Sequence, residues 1–171
     1  MTDRSTRPRQ EALVKWRRRA WGRRILVVLF ALPVLGGAVG LLGLREGEAR
    51  ASAGGYELRV KFAEMSRAGI ATPFDIYVEH ADGFDSPVTL KINHEYFTLF
   101  DLNGIFPAPS TELVDEGMVV WEFDPPEGDT FRVHVDWRVQ PSVHVGTSGR
   151  VELFIDDTFI TQVTFDTRLV P

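Results

Sequence analysis

Phe131-Arg132-Val133-His134-Val135-Asp136-Trp137-Arg138-Val139-Gln140 is the stretch that decides the fold. Every second residue is apolar, and the residues between are charged or polar. Side chains of a β-strand point alternately to its two faces, so this stretch buries one face and wets the other. A helix would spread the same residues around its whole circumference. The segment is therefore predicted to be a strand of an antiparallel sheet with one buried face.

The same period recurs on both sides of it. Tyr56, Leu58, Val60 and Phe62 alternate with Glu57, Arg59 and Lys61. Phe74, Ile76 and Val78 form a second inward set, Val88, Leu90 and Ile92 a third, and Val119, Trp121 and Phe123 a fourth. Val151, Leu153 and Ile155 precede a turn at Asp156-Asp157-Thr158, and a closing strand is predicted from Phe159 to Phe165. Turn formers lie between: Ala68-Gly69, Asp82-Gly83, Pro107-Ala108-Pro109, Pro125-Pro126-Glu127-Gly128 and Gly146-Thr147-Ser148-Gly149. About seven short strands over residues 56–171 predict an all-β, immunoglobulin-like antiparallel sandwich, with an open barrel as the runner-up.

The N-terminal third is different material. Residues 1–24 hold nine Lys/Arg against Asp3 and Glu11, a net of +7. Ile25–Leu44, ILVVLFALPVLGGAVGLLGL, carries no charge over 20 residues. As a helix it would span roughly 30 Å, the thickness of the hydrocarbon core, and a lone strand would leave its backbone unpaired in lipid. Setting the +7 aside, the whole-chain charge of −5 leaves −12 on residues 45–171. The expectation is a basic cytoplasmic tail (1–24), one transmembrane helix (25–44), a short linker (45–55, REGEARASAGG) and an extracytoplasmic domain (56–171). Basic residues before the span and few behind it keep the N-terminus in the cytoplasm of a single-pass cell-membrane protein. Trp16 and Trp21 among the cations suit the headgroup interface and anionic lipid.

A cleaved signal peptide is the rival reading, with Ala51-Ser52-Ala53 as its cleavage site. The apolar run is longer than a usual signal core, and Arg45, Glu46, Glu48 and Arg50 separate it from those alanines, which favours the anchor. Gly36 and Gly40, with Gly43 one turn on, offer a flat helix face for a homodimer. The alternative is that glycine is simply common in membrane helices.

Cysteine is absent, which excludes disulfides, thiolate metal sites and cysteine nucleophiles. Phosphate loops, nucleophile elbows and zinc-protease motifs are absent too, and no cofactor is expected. The acidic outer part argues against nucleic acid as its ligand.

Ala68-Gly69-Ile70-Ala71-Thr72-Pro73-Phe74-Asp75-Ile76, entering a strand, resembles the second-strand entry of bacterial extracytoplasmic immunoglobulin-like modules. Phe123-Asp124-Pro125-Pro126-Glu127-Gly128-Asp129-Thr130-Phe131 is similar to their proline–glycine turn before a late strand. The resemblance covers residues 56–171 loosely. It implies adhesion, scaffolding or complex assembly, and it brings no catalytic residues.

Four candidate features remain. His134 and Asp136 share a strand face, a spacing that suits a metal or proton relay, but Arg132 and Arg138 on that face oppose a cation. Asp124, Glu127 and Asp129, and the pair Asp156-Asp157, offer oxygen ligands without the spacing of a recognised calcium loop. The aromatic stretch from His94 to Phe106 is the nominated functional surface. Tyr96, Phe97, Phe100 and Phe106 are expected either to dock a partner protein as an apolar patch or to pack back on the core. The resulting expectation is a non-catalytic, membrane-tethered accessory domain acting with another envelope or membrane protein. A carbohydrate- or calcium-dependent binding module is the alternative.

Overall fold

The computed structural model describes residue 21, residues 24–35 and 37, and residues 44–170. Residues 24–35 are helical, and their apolar side chains are exposed all round, from Leu26 at 53% to Val34 at 71%. Among the described residues no helix is long and apolar enough to cross a membrane. The rest of the expected span, including Gly36, Gly40 and Gly43, lies outside the described residues, and Leu44 is not helical.

Residues 44–170 belong to a separate compact unit built from two sheets. Its strands are β1 (Arg45–Ala53), β2 (Tyr56–Ser66), β3 (Ala71–Thr72), β4 (Asp75–His80), β5 (Val88–Asn93) and β6 (Phe100–Phe106). They continue with β7 (Thr111–Asp115), β8 (Met118–Phe123), β9 (Thr130–Val139), β10 (Ser148–Ile155), β11 (Thr158–Asp166) and β12 (Arg168–Leu169). The first sheet has seven strands in the order β1-β2-β4-β9-β3, with β6 also on β9 and β12 on β2. The second has five, β11-β10-β5-β8-β7. Every pairing is antiparallel except that of β12 with β2. This unit is an all-β sandwich.

The alternation explains how the sheets meet. Leu58, Val78 and Phe131 lie side by side across the first sheet, and Val60, Ile76 and Val133 form the next row. All of them are buried, as are Leu90, Trp121 and Leu153, which form a row of the second sheet. Removing these side chains from water is the main favourable term, roughly 25 cal/mol per Å² of apolar surface.

Three hairpins close on two-residue turns with both residues at positive φ: Gly54-Gly55, Glu116-Gly117 and Asp156-Asp157. That backbone matches the right-handed twist of the flanking strands. The first of these turns corrects the expected linker. Arg45–Ala53 is a strand whose inward positions are Gly47, Ala49, Ala51 and Ala53. Gly47 has no room for a side chain, since a Cβ there would sit 2.7 Å from the Phe62 ring.

Candidate docking surface

The helical turn His94–Phe97 rolls the aromatic stretch inward before β6 begins. Tyr96 is fully buried, and Phe100, 5% exposed, stacks on Trp137 at 4.1 Å and 6°. Phe97, half-buried, meets Trp121 and Trp137 edge-on at 5.4 and 5.5 Å. Only Phe106, 60% exposed, faces solvent. The four residues therefore do not form one patch. Three of them belong to the core, because an aromatic run at the end of a strand satisfies a core and a surface equally well on paper.

The Tyr96 hydroxyl lies 2.8 Å from Thr167 Oγ1, which is itself 2.7 Å from the Ala63 carbonyl. Thr167 has one hydroxyl proton and gives it to Ala63, so Tyr96 donates to Thr167. Burial pushes the Tyr96 phenol well above its usual ionisation range, and the Thr167 hydrogen bond offsets part of that. This group is a structural tie between β2 and the C-terminal segment.

His134 is not paired with Asp136. Its Nδ1 donates to Asp75 Oδ1 at 2.9 Å, and Arg132 donates to the same oxygen from Nε and Nη2 at 3.0 and 2.8 Å. The hydrogen bond and charge of Asp75 hold the Arg132 guanidinium even more firmly protonated than usual. Beside them Tyr77 packs under Arg59, whose guanidinium is 4.4 Å from the ring centre, and Arg59 pairs with Glu79 at 2.6 Å. The outer face of the first sheet is thus a self-neutralised ladder of cross-strand pairs. Of the remaining histidines, His80 stacks on Tyr56 at 4.0 Å and donates from Nδ1 to the Gly83 carbonyl, while His94 and His144 are exposed.

Glu127 and Asp129 line an open cleft with Asp82 and Asp85 between two loops. Among the described residues no three His, Asp or Glu side chains stand close enough to hold a metal ion.

The surface that stands out is an edge. Both sheets run out on one side, the first at β6 and the second at β7, each paired on one flank only. Pro107–Ser110 joins the two strands, and Ser110 caps the start of β7 through the Glu122 carbonyl. Phe106 stands opposite His134 with its ring over Gly104, and Leu102, 41% exposed, stands opposite Trp137. On β7 every residue is exposed; Leu113 is 44% and Val114 61% open. Glu112 reaches back to accept the Trp121 indole N–H at 3.3 Å. Sequence reading found Phe106 but missed β7, whose two wet faces carry no alternation.

No protein-family model matches the chain, and no curated protein matches it. Chains from cohesin systems are among the solved structures similar to it. A chain from a type I cohesin–dockerin complex of Clostridium thermocellum is 11% identical, with 73% of this chain and 99% of that one covered, at a TM-score of 0.41. The non-cellulosomal cohesin of Archaeoglobus fulgidus is 15% identical, covering 74% and 92%, at 0.37. A chain from the complex of the sixth cohesin of Acetivibrio cellulolyticus scaffoldin B with a Cel5 dockerin is 12% identical, covering 62% and 93%, at 0.34. At this level of likeness the fold rests on the two sheets themselves, and no partner is assigned.

Proposed function

We propose that this chain is a non-catalytic interaction domain of the immunoglobulin-like kind, tethered to the cell membrane and acting with another envelope or membrane protein. The observation that carries the reading is the open side of the sandwich. Phe106 and Val114, 60% and 61% exposed, stand on two sheet edges that no further strand covers among the described residues. Exposed apolar side chains on unpaired edges are what a protein partner recognises and what a solitary domain avoids.

The tether is supported by the helical residues 25–35, apolar on all sides, and by the basic segment before them. In this reading one span places the N-terminus in the cytoplasm and the sandwich outside, with the basic tail on anionic lipid. Gly36, Gly40 and Gly43 would supply a face for a homodimer within the membrane.

Two measurements test the proposal. Protease added to intact cells should remove a C-terminal tag and spare an N-terminal one; the reverse pattern overturns the topology. Cross-linking in intact membranes, followed by capture of the full chain in mild detergent, should recover one reproducible envelope partner. Phe106→Asp should lose it. Recovery of no reproducible partner, or unchanged recovery by the variant, overturns the interaction reading.

A further inference from the structure

Four long strands form the edges of the two sheets: β1 and β6 in the first, β7 and β11 in the second. Natural edges are normally blunted by bulges, charges or a covering segment, since an unpaired row of N–H and C=O groups invites another strand. Three of the four carry a bulge, while β7 has only the charges of Glu112 and Asp115. The β1–β2 ladder slips between Arg45 and Glu46, the β6–β9 ladder between Leu102 and Gly104, and the β10–β11 ladder between Leu153 and Phe154. β1 and β11 also lie against each other. The β7–β8 ladder alone runs in unbroken register, from Thr111 opposite Glu122 to Asp115 opposite Met118. β7 has no proline, lysine or glycine, and Leu113 and Val114 lie open at its centre.

The charge around it is one-sided. Residues 92–131 contain nine Asp/Glu and no Lys or Arg. Among the described residues Asp101 is the only one of these acids with a basic partner, Arg138 at 3.5 Å. Among the described residues, Glu112, Asp115 and Glu116 on β7 and its turn have no basic side chain within salt-bridge distance. A second copy would bring the same acids to the same edge and is disfavoured.

We infer that β7 is a strand-addition site for an extended segment of a partner protein in which Lys or Arg flanks a pair of aliphatic residues. Successive side chains of β7 point to opposite faces, so each face holds one acid and one aliphatic residue, Glu112 with Val114 on one and Asp115 with Leu113 on the other. Backbone groups of β7 would pair with the incoming strand, its aliphatic pair would meet Leu113 and Val114, and its flanking cations would meet Glu112 and Asp115. The inference deepens the interaction reading by naming the chemistry of the occupant.

The test uses the full chain in neutral-lipid nanodiscs and two fluorescein-labelled decapeptides read by anisotropy. One repeats Lys-Val-Val-Lys; the other has the same charge with proline at its centre, so that it cannot form a strand. The strand-forming peptide should bind about tenfold more tightly than the proline control. Val114→Lys should abolish that preference. Leu102→Lys, which makes the same charge change on β6, should retain it.

Equal binding of the two peptides, or an equal effect of the two variants, overturns the inference and reduces the attraction to general electrostatics. A wild-type dimer in sedimentation that Val114→Lys dissolves also overturns it, because the occupant is then a second copy. If Val114→Lys still recovers the envelope partner from membranes, the β7 site falls while the interaction reading stands.

Discussion

The two sides of the sandwich end in opposite ways. On one side β1 lies against β11, and the gap is filled by rings: Phe62 stacks on Phe165 at 4.5 Å. Gly47 and Gly149 leave room for those rings, since a Cβ at either would collide with Phe62 or Phe165. On the other side the ladders stop at β6 and β7, with Phe106 and Val114 in water. The charges divide the same way. Arg50, Arg59 and Arg132 are each within reach of a carboxylate on the outer face of the first sheet, whereas among the described residues the acids of β7 have no cation beside them. Both sides end in strands paired on one flank only, but β1 and β11 close over the Phe62 and Phe165 rings, whereas Phe106, Val114 and the acids of β7 are left without partners among the described residues. The second kind of side is where binding has something to gain.

That contrast can be broken by substitution. The largest effect is expected at Trp137→Ala, which removes the floor beneath β6 and its stack on Phe100; thermal or urea unfolding should register a loss of about 3–5 kcal/mol. Gly149→Ala on the closed side should cost about 1–3 kcal/mol by the same assay, because the buried Phe165 must move. If it costs nothing, that side is looser than described. Tyr96→Phe leaves Thr167 without its donor and should cost about 1–2 kcal/mol. Val114→Lys on the open edge should change stability by no more than about 0.5 kcal/mol, since that side chain is 61% exposed. A loss as large as that at Gly149 would mean that β7 is already occupied from within.

The sequence disclosed the strands that have one wet face. All of the predicted alternating segments are strands, from Tyr56 in β2 to Phe165 in β11. It hid the edges, for a different reason each time. β1 turns Gly47, Ala49, Ala51 and Ala53 inward, so its period carries almost no hydrophobic contrast, and Gly54-Gly55 reads as flexibility when it is a tight turn. β7 is wet on both faces and has no period to detect. β6 loses its alternation at the irregularity between Leu102 and Gly104. Edge strands pack against one neighbour or none, so the burial that writes a pattern into a sequence is missing there.

The candidate site was partly legible for the same reason. Phe106 was named from composition. Tyr96, Phe97 and Phe100 carry the same aromatic signature but are drawn under the sheet by a single helical turn. No local signal separates an aromatic that fills a core from one that awaits a partner. The tie from Tyr96 through Thr167 to the Ala63 carbonyl joins residues far apart in the chain, so no local reading could have found it.

Position-resolved photo-cross-linking in intact cells tests the central claim most directly. A photoreactive residue is placed at Val114 on the open side in one chain and at Glu48 on the closed side in another. The account predicts one discrete adduct from position 114 and none from position 48. Adducts from position 48 with none from 114, or the same adducts from both, would contradict it.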